Sequence, residues 1–229
     1  MAASLPIGER VPGPTPAFPG GGRLTGRFVT LEPVDAMAHG SALYEASHGA
    51  PDIEALWTYM FVGPFGSELA MVSWLADCQE STDTLYYTVV DTPTGRPLGM
   101  TSYCNMAPEM RRLEIGNVWF GPAAQHTAAN TEAAYLLLRE AFALGYRRVE
   151  WKCNALNAAS RAAAVRLGFQ FEGVFRSHMV VKGRSRDTAW FAITDADWPR
   201  IQANIEAWLA QPAGRTPRLS LAAMNSVQG

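Results

Sequence analysis

The amino-acid sequence predicts an α/β domain with a mixed, mostly antiparallel sheet. Three observations carry that reading. Two β-rich runs, Leu85 to Val90 and Leu98 to Asn105, flank the turn-forming stretch Asp91-Thr92-Pro93-Thr94-Gly95, which is hairpin chemistry. A strand from Arg111 to Phe120, a helix and a second strand from Arg148 to Cys153 follow one another with the spacing of a right-handed crossover. The intervening helix carries Ala134, Leu137, Leu138, Ala141 and Leu144, an unbroken apolar stripe at helical spacing. With 229 residues, 48% apolar and 17% charged, the chain has enough material for one sizeable core with extended ends.

Taken in order, residues 1–22 are rich in proline and glycine and cannot bury enough apolar area to offset ordering, so an irregular arm is expected there. Arg23 to Val34 reads as the first strand, punctuated by Gly26. Asp35 is placed to cap a helix through about Ser47. The section Pro51 to Phe65 concentrates aromatic residues before the break at Gly63-Pro64. Ser67 then starts a helix whose apolar positions Leu69, Met71, Val72, Trp74 and Leu75 suit one buried face. On the Arg111 to Phe120 strand, alternation sends Leu113, Ile115 and Trp119 one way and Arg112, Glu114 and Val118 the other. Asn157 and Ser160 open a further helix that ends at Leu167-Gly168-Phe169. Phe169 to Val181 and Thr188 to Thr194 form a terminal hairpin around Lys182-Gly183-Arg184. Asp195 or Asp197 caps a last helix with Trp198, Ile201, Ile205, Trp208 and Leu209 on its core face. The domain therefore spans 23–210, and the tail 211–229 is expected to be loose.

A net charge of −2 and a pI near 6.1 argue against nucleic acid or an anionic membrane as partner. The basic clusters Arg111-Arg112, Arg147-Arg148 and Lys182 to Arg186 read as solvated strand ends and turns. Cys78, Cys104 and Cys153 are far apart and form no metal-type pair, so no metal site and a reduced, cytoplasmic compartment are expected. No apolar run approaches the ~20 residues that span a bilayer, and the N-terminus lacks signal-peptide character.

The chemistry concentrates between Trp119 and Phe169. The small-residue loop Gly121 to Asn130 feeds a helix N-terminus, where backbone N–H groups and the positive dipole end converge: an anion site in outline. The order strand, loop, helix, strand, helix, Gly-Phe resembles the GCN5-related N-acetyltransferase superfamily, and within it the ribosomal-protein N-terminal (alanine) acetyltransferase branch. The matching residues are Glu114-Ile115-Gly116, the loop Gln125 to Thr131, Asn157 with Ser160, Leu167-Gly168-Phe169, Glu172-Gly173 and Arg186-Asp187. Where that family's loop has glycine and a second small residue, this chain has Ala128 and Asn130; alanine still permits close approach if its φ is negative.

The resemblance implies a sheet of about seven strands splayed at its central parallel pair, and acetyl-CoA as donor. It implies that Gln125, His126, Thr127, Ala128, Ala129, Asn130 and Thr131 hold the pyrophosphate, against the plain alternative of a helix capped by Thr127 or Asn130. Val118, Trp119 and Phe120 would end the strand along which the pantetheine arm lies. Asn157 would hold that arm and Ser160 would serve the sulfur, against the alternative of simple N-capping. The acceptor amine must lose a proton, and Glu114 is the first candidate base, against a surface carboxylate paired with Arg112 or another arginine. His178 is the second. Trp57, Tyr59, Phe61 and Phe65 could line the acceptor site, although aromatic clusters are more often core.

The acceptor is then an amine: a protein N-terminus, an amino acid, or a peptide-like or small amine, attacked directly through a tetrahedral intermediate. The alternative is a catalytically silent acyl-CoA-binding module. A nucleotide enzyme is a poorer third, because no G-x-G-x-x-G or G-K-[ST] follows a strand. A homodimer through a sheet edge or the arm is compatible with the sequence.

Overall fold

The computed structural model describes residues 5–49, 53–211 and 220–226. Eight strands form one sheet. They are β1 (Leu24–Thr25), β2 (Val29–Pro33), β3 (Leu85–Asp91), β4 (Pro97–Ala107), β5 (Arg112–Phe120), β6 (Arg148–Asn154), β7 (Gln170–Val181) and β8 (Arg184–Thr194), in the spatial order β1-β2-β3-β4-β5-β6-β8-β7. Every neighbouring pair is antiparallel except β5 and β6. The helices are α1 (Ala36–His48), α2 (Ile53–Trp57), α3 (Glu68–Gln79), α4 (Ala129–Ala143), α5 (Ala158–Leu167), α6 (Trp198–Leu209) and α7 (Leu221–Ser226).

The caps predicted at Asp35 and Ser67 act as expected, whereas Asp197 stands at the N-cap of α6 without a side-chain bond to that helix and accepts from Thr194 instead. Asp35 accepts from the N–H groups of Met37 and Ala38, and Ser67 from that of Ala70. Gly168 terminates α5 with φ +100°, a left-handed value that spares it the clash any Cβ would suffer. Leu69, expected on the buried face of α3, is instead 78% exposed, and Cys78 takes its place beside Met71 and Leu75. The expected first strand is two. Gly26 turns the chain, and the Glu132 carboxylate of α4 accepts from the backbone N–H groups of Arg27, Phe28 and Val29, so the break between β1 and β2 is held by a side chain more than a hundred residues away.

The sheet separates two cores. On one face Leu113, Ile115, Val149 and Phe191 pack against α4, α5 and α6. On the other, Met100 and Trp119 pack against Leu43 of α1, Trp57 of α2 and Leu75 of α3. Trp119 therefore lies opposite to where strict alternation put it. Met100 faces Trp119 and Ser102 faces Gly116, so Thr101 alone stands against Asn117 and Val118. Asn117 takes φ +53° at this bulge, and every later side chain of β5 changes face. Val118 consequently packs on the core that holds Ile115.

Residues 5–22 carry no helix or strand, as an irregular arm would, yet they and part of the tail pack on the domain. Pro16 and Pro19 are buried, and Arg111 donates to the carbonyls of Pro12 and Gly13, so the arm from Leu5 is seated on the domain. Within the expected loose tail, α7 buries Leu221 in the larger core, and Asn225 donates to the carbonyl of Arg166 on α5. Residues 212–219 lie outside the described residues. Among the described residues, no helix is long and apolar enough to cross a membrane.

Candidate active site

The parallel strands β5 and β6 pair only from Arg112/Arg148 to Glu114/Glu150 and then separate. Beyond Glu114 the two backbones face each other without bonding, and a cavity of about 90 Å³ opens between them. One wall is Ile115 to Val118, and the facing wall is Trp151 to Asn154. The start of α5 adds Asn157 and Ser160, the loop after α2 adds Tyr59, Met60 and Phe61, and β8 adds Arg186. Gly116 is required here by crowding: a Cβ would lie 2.7 Å from the Cys104 Sγ.

The aromatic loop is tied across this opening. Lys182 Nζ donates to the carbonyls of Trp57 at 2.8 Å and Gly63 at 2.6 Å, and the Tyr59 hydroxyl donates to the Leu156 carbonyl at 3.3 Å. His48 accepts the Phe65 N–H at 3.0 Å, and burial holds its pKa below the usual value, which keeps the ring in the neutral form that can accept. Of the aromatic residues expected to line an acceptor site, Tyr59 and Phe61 line this cavity. Trp57 is fully buried and Phe65 packs edge-on against it, so both belong to the second core.

Glu114 is not a surface carboxylate. It is 6% exposed, 2.5 Å from Lys152 Nζ, and accepts from Asn105 Nδ2 at 2.6 Å. Both contacts use Oε2. Burial raises its pKa above the ordinary carboxylate value against the opposing pull of Lys152 and Asn105. Arg112 pairs with Glu150 instead, which also takes Arg148. Glu114 stands behind Gly116, which lines the cavity, as does its partner Lys152. Lys152 also lies over the Trp190 ring at 4.4 Å.

His178 is exposed on the edge strand β7, with Nδ1 3.0 Å from the Thr188 hydroxyl. Trp190 touches both His178 and Lys152, and the imidazole is not part of the cavity wall. The three cysteines are poor nucleophiles: burial pushes Cys78 and Cys104 up to about 12 and raises Cys153.

At the start of α5, Asn157 Oδ1 accepts the Ser160 N–H at 3.0 Å, so the plain capping role is realised. The cap leaves the Asn157 amide N–H₂ available, and both residues still face the cavity. Ser160 Oγ accepts from the Trp151 indole at 3.0 Å, which turns its own proton toward another acceptor.

On the loop before α4, Ala128 stands at the N-cap without a side-chain bond, and Thr127 beside it donates to the Ala124 carbonyl and accepts the Ala129 N–H. Gln125 donates from its side chain to the Phe120 carbonyl, and Thr131 accepts from Arg166. Ala128 has φ −71°, the negative value that lets alanine serve in place of glycine, and His126 takes φ +61°. The N–H groups of Asn130 and Thr131, in the first turn of α4, have no intrahelical partner. Free donors at the positive end of a 15-residue helix suit a diphosphate. Trp119 and Phe120 are core residues at the end of β5, whereas Val118 reaches the cavity.

Sequence reasoning missed Lys152, Asn105, Asn154 and Arg186 as cavity residues or their partners. Only the parallel register and the β8 pairing bring them together, although Arg186-Asp187 stood out in the sequence. Among the described residues, no cluster of three His, Cys, Asp or Glu side chains is spaced to hold a metal ion.

Comparison with known proteins agrees with this geometry. A family model described as an acetyltransferase (GNAT) domain matches residues 29–170. A solved GCN5-related N-acetyltransferase from Brucella melitensis is 39% identical, with a TM-score of 0.87 over 92% of this chain and 97% of the other. A "probable acetyltransferase" of the GNAT family from Chromobacterium violaceum is 41% identical, with a TM-score of 0.78 over 86% of this chain and 100% of the other. The microcin C7 self-immunity acetyltransferase MccE, solved with acetyl-CoA and AMP, is 22% identical with a TM-score of 0.65 over 74% of this chain and 93% of the other, a likeness of fold alone. A sequence search of curated proteins finds no match.

Proposed function

Because the chain belongs to the GNAT acetyltransferase family, we propose that it transfers an acetyl group from acetyl-CoA to a small primary amine by direct attack. The observation that carries this reading is the splay of β5 from β6, which leaves unpaired backbone beside Asn157 and Ser160 in one cavity. Acetyl-CoA, when bound, supplies an activated thioester carbonyl. The loop 125–131, with the free N–H groups of Asn130 and Thr131, would hold its diphosphate, and the open backbone of β5 would bond its pantetheine arm as an added strand.

Glu114 takes the proton that the acceptor amine must lose, through Oε1, which its two partners leave free. The C–N bond would form before the C–S bond breaks, as addition followed by elimination requires, and the Ser160 hydroxyl would donate a hydrogen bond to the departing thiolate. The raised thiol pKa values at Cys104 and Cys153 favour this single displacement over an acetyl-cysteine route. The aromatic loop tied down by Lys182 and Tyr59 narrows the cavity, which supports a small acceptor over a protein N-terminus, the substrate of the ribosomal-protein branch.

Calorimetric titration with acetyl-CoA, followed by a thiol-release screen over amines and short peptides, tests this. Binding with thiol release for one acceptor class is expected. Binding without release for any acceptor would favour a silent acyl-CoA-binding module. Ser160→Ala should lower kcat by about 10²-fold with acetyl-CoA affinity nearly intact; equal loss of both contradicts the assigned role. Ala128→Asp should weaken acetyl-CoA binding by about tenfold, since a carboxylate would meet the phosphates; unchanged affinity removes the loop from the site.

A further inference from the structure

Arg186 is 6% exposed, yet none of its guanidinium N–H groups has a hydrogen-bond or ion-pair partner among the described residues, and its Nε is fully buried without one. The Phe61 ring lies 4.7 Å from the guanidinium, and Cys153 and Glu114 are within electrostatic reach of it. Arg186 and Phe61 both line the cavity between β5 and β6. The other charged side chain there, Lys152, is neutralised by Glu114 at 2.5 Å. Glu114 thus stands against two cations, paired with Lys152 and only in electrostatic reach of Arg186, and the site keeps a net positive charge.

Burying an unpaired ion is costly, and a guanidinium does not escape the cost by losing its proton. The charge is accommodated once a ligand brings an anion to it. We propose that Arg186 binds an anionic group of the acceptor, so that the preferred acceptor is an amine that also carries a carboxylate. This rests on the acetyl-transfer reading above. The planar fork of N–H donors matches the two oxygens of a carboxylate. Phe61 over the guanidinium keeps water from it, which strengthens such a pair. The donor's phosphates have their own N–H donors at α4, on a separate element.

The test titrates the full chain, wild type and variants, first with acetyl-CoA and then with a panel of transfer products. The panel is N-acetyl-glycine, N-acetyl-methionine and N-acetyl-phenylalanine, each as free acid and as amide, with 3-(acetylamino)propyl phosphate as the phosphoryl probe. At least one free acid should bind about tenfold or more tighter than its amide. Arg186→Gln should abolish that preference, Arg186→Lys should retain part of it, and both should bind acetyl-CoA within about twofold of wild type. A urea midpoint near that of wild type verifies that each variant folds. Equal affinity for acids and amides, binding of neither, or an acid preference that survives Arg186→Gln overturns the proposal. Tighter binding of the phosphoryl probe overturns the carboxylate assignment, and loss of acetyl-CoA affinity in Arg186→Gln moves Arg186 to the donor. A wild-type chain that does not bind acetyl-CoA sinks the acetyl-transfer reading and this proposal with it.

Discussion

Glu114 shows how one residue's environment decides its chemistry. In isolation it would be an ordinary carboxylate; here burial raises its pKa while Lys152 and Asn105 keep it within reach of ionisation. Glu114→Gln keeps the shape and the Asn105 contact but removes the proton acceptor. A fall of about 10²-fold in kcat/KM is expected, with the acid limb of its pH profile abolished; an unchanged profile would place the base elsewhere. Stability moves with the same group. Between the unfolded and the raised folded value the native state holds the extra proton, so Glu114 makes stability fall as pH rises through that window. Urea midpoints of wild type and Glu114→Gln, compared between about pH 4 and pH 8, should differ in slope in that direction.

At the scale of elements, the bulge in β5 decides what reaches the cavity. Asn117 holds a left-handed backbone and donates from Nδ2 to Ser102 Oγ at 2.9 Å. Without the extra residue, Val118 and Trp119 would exchange faces and an indole would fill the donor slot. Asn117→Val, a β-branched residue in that conformation, should cost about 1–2 kcal/mol and weaken acetyl-CoA binding, while Asn117→Gly should keep the backbone and most of the affinity. Denaturant curves and calorimetry of both variants check this; equal behaviour of the two would mean that strain at this position is not what matters. The same scale marks a limit of sequence reading. Alternation was legible for Leu113 and Ile115, but nothing before Asn117 announces that the period breaks.

At the scale of the molecule, the arm from Leu5 and the helix α7 are both seated on the domain. Leu221 is 2% exposed in the larger core, and α7 meets α5 through Asn225 and α6 through Asn204. Leu221→Ala should cost about 2–4 kcal/mol, read from urea unfolding; a loss well below 1 kcal/mol would show that α7 adds little to the core. Composition could not announce this helix, because six residues of weak pattern form a helix only when a core is waiting for their apolar side.

The sequence by itself determined the elements that rest on local chemistry: the caps at Asp35, Ser67 and Asn157, the turn after Asp91, the apolar stripe of α4 and the small-residue loop before it. These depend on contacts within a few residues, so a linear pattern carries them. Only the tertiary structure decided that Lys152 would neutralise Glu114, that Glu132 would hold the turn before β2, and that Arg186 would lie buried and unpaired in the cavity. Those outcomes join residues 38 to more than 100 positions apart. They follow from strand register and sheet order, which arise when the whole core is packed at once.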